Sequence, residues 1–258
     1  MLDFDQIRLF FPEYVQDQPE SILREYLQCK VLELVFSSPM ASKLTFIGGT
    51  ALRLIYNTQR FSEDLDFDNK NLTMDEWIEL GAIIKKGLNY EAINIDIAKT
   101  RLNDTVFHHN LRFLEILFQL KISPHKNSVM LIKADSENQG IDYQVSIVRL
   151  NRFDVDTQIK VMPIDIALSQ KFRAFFDREM GRDLFDISSI APMTKPNYAY
   201  LEAALGICNA KQLKERVLER CEELNLEDLE KRTAPFLFKD TDVSRIRHFK
   251  DYMKQYKF

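Results

Sequence analysis

The sequence predicts an α+β protein of two lobes, an N-terminal mixed β-sheet core with flanking helices followed by a C-terminal helical lobe. Three observations carry this. Apolar residues recur at helical spacing in the first third of the chain, with two short strand-like runs between them. From about Asn94 to Met162 the pattern shifts to alternation rich in β-branched residues. After Pro163 strand signals stop and helical spacing takes over. With no internal repeat or low-complexity linker, the expected domains are residues 1–162, an α/β core, and 163–258, a helical lobe.

Element by element, residues 19–38 place Ile22, Leu23, Tyr26, Leu27, Val31, Leu32 and Val35 on a packed helix. "KLTFI" (43–47) is a short strand ending at Gly48-Gly49, "TALRLIYNT" restarts a helix, and "DLDFD" is a second short strand. Residues 73–88 read as a helix with Thr73 as N-cap ahead of Asp75 and Glu76. Strands are expected at "INIDIAK", "LRFLEILFQL", "SVMLIKAD", "YQVSIVRL" and "TQIKVM", with Gly140 in a turn. Helices are expected over 164–178, 182–190, 197–208, 211–225 and 242–256.

The bulk properties exclude several classes. At 258 residues, 45% hydrophobic and 29% charged, the chain is an ordinary globular protein able to bury a core. A net charge of −4 does not mark a nucleic-acid binder, although a local basic surface would matter more than the total. Cys29, Cys208 and Cys221 have no zinc spacing, and a reduced cytoplasmic setting is expected. The acidic N-terminus is not a secretory signal, and no apolar run reaches the roughly 20 residues that span a bilayer.

The chemistry concentrates in "FIGGTALRLIYNTQRFSEDLDFD", residues 46–68. The chain has only seven glycines and sets two side by side, followed by Thr50 and, on the next strand, Asp64-Leu65-Asp66. Glycines admit backbone N–H groups close to phosphate oxygens, and the helix that follows turns its positive end toward the same anion. On a strand Asp64 and Asp66 share a face, and paired like charges call for a cation. Mg²⁺ or Mn²⁺ suits them, since Mg²⁺ takes one or two carboxylates together with substrate phosphates. The expected site is therefore a metal-bound triphosphate on Gly48, Gly49 and Thr50, with Asp64 and Asp66 as metal ligands. Asp68 shares their face by parity. No GK[ST] or GxGxxG is present, which excludes P-loop and Rossmann readings.

The order Gly-Gly, helix, Asp-x-Asp resembles the signature of the DNA-polymerase-β-like nucleotidyltransferase superfamily. Its form here, "GGTALRL" and then "SEDLDF", is similar to the AbiEii/AbiGii nucleotidyltransferase toxin family of bacterial toxin–antitoxin and phage-defence systems. Lys171-Phe172-Arg173-Ala174, a Lys-x-Arg where that family carries Lys-x-x-Arg, and Arg182-Asp183-Leu184-Phe185-Asp186, its RDxxD element, follow in the family's order, so the resemblance covers about 46–190. It implies a metal-dependent transfer of NMP from an NTP to an acceptor hydroxyl, with tRNA as the expected acceptor and a cognate antitoxin as a possible partner. It also implies that Lys171 faces the phosphates and that Asp183 and Asp186, on one helix face, position Lys171, Arg182 or the acceptor. An exposed Lys171 would tolerate alanine with little loss of stability. Arg182 and Asp183 read equally well as an interlobe salt bridge.

The superfamily adds a third carboxylate from a later strand, expected here to be Asp135, with Asp142, Asp154 and Asp96 as alternatives. Ser62 is placed at the mouth of the site, and Arg53 and Arg60 are near enough in sequence to steer an anion. His108-His109 is expected to be a surface or strand-end pair and Trp77 to be core. The C-terminal "VSRIRHFKDYMKQYKF" interleaves bases and aromatics as an RNA-binding segment would, but an amphipathic closing helix is the better reading. Two rivals remain: transfer to a small molecule or protein, and a catalytically silent partner-binding protein.

Overall fold

The computed structural model describes residues 1–101 and 106–258. The chain divides into two compact units. Unit 1 holds Met1–Ala51, Phe61–Gln139 and Val145–Val161; unit 2 holds Leu52–Arg60, Gly140–Gln144 and Met162–Phe258. The α+β class is as expected, and no helix among the described residues is long and apolar enough to cross a membrane.

Among the described residues, unit 1 carries seven strands in one mixed sheet: β1 (Leu44–Ile47), β2 (Leu65–Asn69), β3 (Ile95–Arg101), β4 (Val106–Leu114), β5 (Val129–Glu137), β6 (Ser146–Arg152) and β7 (Val155–Val161). Their order is β3-β4-β5-β2-β1-β7-β6. β1 runs antiparallel to β2, and β2 parallel to β5. The alternation read from the sequence sets the faces. On β4, Phe107, His109, Leu111 and Phe113 are buried while His108, Asn110 and Arg112 lie on the opposite, more open side.

The helices of this unit are α1 (Phe4–Arg8), α2 (Pro19–Phe36), the first turn of α3 (Gly48–Ile55), α4 (Met74–Tyr90) and α5 (Ile116–Gln119). Helix α2 packs against β7 and α4, and Tyr26, Phe46, Phe67, Trp77 and Phe113 are fully buried. Helix α4 begins with a capping box as expected: Glu76 N–H donates to the Thr73 hydroxyl and Thr73 N–H to Glu76 Oε2. Burial of this helix's Trp77 matches the sequence reading.

Unit 2 is built from α6 (Ile164–Asp177), α7 (Gly181–Ile190), α8 (Tyr198–Leu205), α9 (Ala210–Glu223), α10 (Leu226–Thr233), α11 (Ser244–Arg247) and α12 (Phe249–Gln255). Phe172, Phe175, Phe185, Tyr200 and Phe249 form its fully buried aromatic centre. Helix α7 contacts α6, α10, α11 and α12. The segment 52–60 belongs here through tertiary pairing. Phe238 N–H donates to Gln59 O at 3.1 Å, and Arg60 bridges Leu237.

Several elements differ from expectation. The strand anticipated at 111–120 lies earlier, at Val106–Leu114. It stops because Glu115 adopts φ +58°, which no strand accommodates, and α5 follows. Helix 197–208 is shorter, because Gly206 takes the left-handed C-cap at φ +68°. The closing helix 242–256 is broken: a 3₁₀ turn (Asp240–Val243) leads into α11, and His248 (φ −94°, ψ +13°) separates α11 from α12. Helix α10 was not foreseen. Its mean polarity hides a narrow apolar seam through Leu229.

Candidate active site

Gly48 stands at the junction of β1 and α3 with φ +77°, a conformation that L side chains resist. A Cβ built there would fall 2.1 Å from Asp66 Oδ2. The first glycine therefore does two things: it turns the chain from strand to helix, and it leaves the space that the Asp66 carboxylate occupies. Ile47, the residue before it, is the register partner of Asp66 across β1 and β2.

On the other side of β2 the register runs Asp66 to Asp135 in the parallel β2–β5 pair, and Asp135 to His108 in the antiparallel β4–β5 pair. Three polar side chains thus form one row across three adjacent strands, spaced by roughly 4.8 Å per strand. Asp66 and Asp135 are half-buried, so neighbouring like charges sit in partial contact with water. His108 Nδ1 lies 2.7 Å from Asp135 Oδ1. The sequence did not reveal this contact. The parity of Phe107, His109 and Leu111 does turn His108 to the open face, but its partner depends on register.

The neighbouring residues are placed as follows. Asp64 lies one residue before β2 rather than on it, because pairing begins at Leu65. Thr50 is fully buried, and its hydroxyl donates a short hydrogen bond to the Asp64 carbonyl. That proton is engaged in clamping the turn, so the side chain does not present it to a phosphate as the sequence reading expects. Gly49 is buried in the first turn of α3. Ser62 is half-buried in the approach to β2, its carbonyl accepting from Gln28 Nε2 at 3.0 Å. Asp68 is buried and accepts the Gln139 N–H at 3.0 Å.

Of the alternatives to Asp135, Asp96 pairs with Lys85 and Arg112, and Asp154 lies beside Tyr26 and Lys30. Asp142 belongs to unit 2. Of these four carboxylates, Asp135 is the register partner of Asp66.

Among the described residues no group of three or more His, Cys, Asp or Glu is arranged to hold a metal. Mg²⁺ does not require one, because substrate phosphates and water complete its shell. The residues fit such an ion: hard carboxylate oxygens on adjacent strands, one of them seated in a hollow that any Cβ at position 48 would fill.

The later motif folds into a second cluster, wholly within unit 2. Lys171 is buried, with Nζ 3.0 Å from Asp183 Oδ1 and 2.7 Å from Asp186 Oδ2. Arg60 closes a two-pronged pair on Asp186 at 2.7 Å for each bond. Arg178 does the same on Asp183 at 2.8 and 3.0 Å. Burial pushes the Asp183 carboxyl up, but Lys171 and then Arg178 outweigh it and hold it at about 2. Burial likewise opposes ionisation of Asp186, and Arg60 and Lys171 reverse the direction to hold it low.

The expectation of an exposed Lys171 is corrected by this burial. Arg60 and Arg53 are also buried, so neither is displayed to steer an anion. Arg53 donates to Asn57 Oδ1 and Thr58 O and lies 4.4 Å from the Phe238 ring. Arg182 is half-buried over the Phe236 ring at 4.6 Å. The salt bridge of Asp183 runs to Lys171 and Arg178.

His109 is buried rather than exposed, stacked on Trp77 at 4.7 Å. In the C-terminal segment four basic residues are engaged within the chain: Arg247 with Glu230, Lys250 with Glu222, Lys254 with Asp251 and Arg245 with Asp242. Phe249 and Met253 are fully buried, which supports the closing-element reading.

A family model described as nucleotidyl transferase AbiEii toxin, type IV TA system, matches residues 32–257. No curated protein matches the chain. Among solved structures, MenT4, a nucleotidyltransferase toxin from Mycobacterium tuberculosis H37Rv, is similar with a TM-score of 0.61 at 13% identity, covering 100% of this chain and 91% of that one. JHP933 from Helicobacter pylori is similar with a TM-score of 0.55 at 17% identity, covering 91% of each chain. At such identities these likenesses establish the shared fold.

Proposed function

This chain belongs to the AbiEii family of nucleotidyl transferase toxins of type IV toxin–antitoxin systems, and from that membership we propose that it transfers NMP from an NTP to an acceptor hydroxyl with the help of a divalent cation. The observation that carries the reading is the Asp66–Asp135 register pair, with the Gly48 backbone set against the Asp66 carboxylate.

In the proposed reaction the acceptor oxygen attacks the α-phosphorus in line. The new O–P bond forms as the bond from that phosphorus to the β-bridging oxygen breaks, and pyrophosphate leaves with the electron pair. The backbone around Gly48 and Gly49 receives the triphosphate at the start of α3. Asp64, Asp66 and Asp135 would hold Mg²⁺ or Mn²⁺, which supplies charge neutralisation for the triphosphate and the departing pyrophosphate. Asp135 takes the acceptor's proton. Holding the reactants in line provides most of the remaining rate.

For the acceptor we propose the 3′ end of tRNA, and for a protein partner a cognate antitoxin, in the cytoplasm. Lys171, Asp183 and Arg182 enter the reading through the family motif. Their placement supports a share in building unit 2 as well.

The test is incubation with labelled NTPs, Mg²⁺, total RNA and total protein, with Asp66→Asn as control. Label is expected in small RNA. Label found in protein and never in RNA would overturn the RNA acceptor.

A further inference from the structure

We propose that His108 is a positioning residue for this site: it fixes Oδ1 of Asp135 and leaves Oδ2 for the cation. The inference rests on the metal-dependent reading above and goes beyond it by assigning a residue outside every matched motif.

Four observations carry it. The Nδ1–Oδ1 distance of 2.7 Å is that of a strong hydrogen bond to a carboxylate. His108 Nε2 is buried without a hydrogen-bond partner. A ring with its proton on Nδ1 satisfies both facts, since Nδ1–H donates to Asp135 and Nε2 keeps a lone pair that buries no donor. Asp135 is itself the register partner of Asp66, so the group being oriented lies next to the first carboxylate of the site. Finally, the strand that bears His108 is locked in place by the next residue.

That lock is specific. His109 stacks on Trp77 with an interplanar angle of 7°, and its Nε2 lies 2.8 Å from the Trp77 carbonyl. Gly81 makes room for the ring, since a Cβ there would come within 2.8 Å of His109 Nε2. A slip of one residue would send His109 to the open face and His108 into the core. The pair of histidines thus divides its work by strand parity, one holding register from below and the other holding Asp135 from beside it.

Hydrogen bonds to a ligating carboxylate restrict its rotation, and their loss commonly lowers metal affinity by about 10- to 100-fold. The test is Mn²⁺ binding to the full chain, followed by the loss of the free-ion paramagnetic signal, with unfolding midpoints measured in parallel. His108→Ala should weaken binding by about 10-fold or more. His108→Asn, whose amide nitrogen can replace Nδ1–H, should restore most of it. His108→Val, matched to a strand, replaces the alanine variant if that one does not fold. A folded His108→Ala or His108→Val protein that binds Mn²⁺ like the parent, while Asp66→Asn loses it, overturns the positioning role and leaves the metal reading standing. A folded His108→Asn protein no better than alanine overturns the hydrogen bond as the cause. Unchanged binding in Asp66→Asn overturns the metal reading and this inference with it.

Discussion

Each unit gathers carboxylates, and the two groups differ in burial and in the side chains set beside them. In unit 2, Asp183 and Asp186 are at most 1% exposed, and Lys171, Arg60 and Arg178 lie within 3.0 Å of them. The chain neutralises these acids with its own side chains. In unit 1, Asp66 and Asp135 are half-buried on adjacent strands, with a second carboxylate and a histidine as their register neighbours. A buried charge pair is costly to break by removing one partner, whereas like charges placed side by side at partial exposure favour a cation beside them. The contrast sets the deeply buried acids of unit 2 apart from the acids to which the proposed site is assigned.

The largest effect expected from breaking the contrast is on turnover. Asp66→Asn should keep the fold, checked by circular dichroism, and lower transfer of labelled NMP on the order of 10²–10³-fold or more, the scale seen when one preorganised electrostatic contact is removed. Full activity in the folded variant would refute the metal assignment.

Next comes the scaffold. Lys171→Ala leaves two buried carboxylates short of a cation and should cost about 3–5 kcal/mol in urea unfolding. The small loss that suits an exposed lysine would contradict the placement in unit 2.

The pH dependence follows in size. Asp183 moves from 3.8 to about 2 on folding. A carboxyl held low in the folded state contributes stability above its unfolded value, near pH 4, and that contribution is lost as pH falls toward about 2. The shift corresponds to about 2 kcal/mol. Unfolding midpoints between pH 5 and 2 should therefore fall less steeply in Asp183→Asn than in the parent.

Gly48→Ala sharpens the other half of the comparison. The left-handed φ costs about 1–2 kcal/mol for an L residue. The added Cβ must also displace Asp66, so transfer should fall by more than stability does, measured on the same preparation.

Smallest of all is Arg178→Ala. Its side chain is 57% exposed, so solvent screening should limit the loss to less than about 1 kcal/mol in urea unfolding, despite the good geometry.

Much of this arrangement was legible beforehand, for reasons that particular residues make plain. Gly48-Gly49 and the Asp64–Asp66 pair are local signals: a turn that needs a missing Cβ, and acids at strand spacing. Asp135 could be picked out because an acid closes a convincing strand. Its neighbour could not, since Asp66 and Asp135 meet only through a parallel pairing between strands far apart in sequence. The contact of His108 with Asp135 was hidden for the same reason, and so was the burial of His109. Lys171 was recognised by motif but misplaced, because its partners Asp183 and Asp186 lie on another helix and Arg60, which shares Asp186, sits 126 residues before that aspartate.

The sequence by itself determined which chemical groups this protein carries and in what local order: the glycine turn, the acids, and the change from strand to helix near Pro163 follow from backbone freedom, charge and periodicity, all short-range properties. Tertiary structure decided which of those charges are buried against partners from distant parts of the chain and which stand half-buried beside one another on adjacent strands. That choice depends on strand register and helix packing, where shifting a strand by one residue exchanges buried for exposed and a partner can come from more than a hundred residues away.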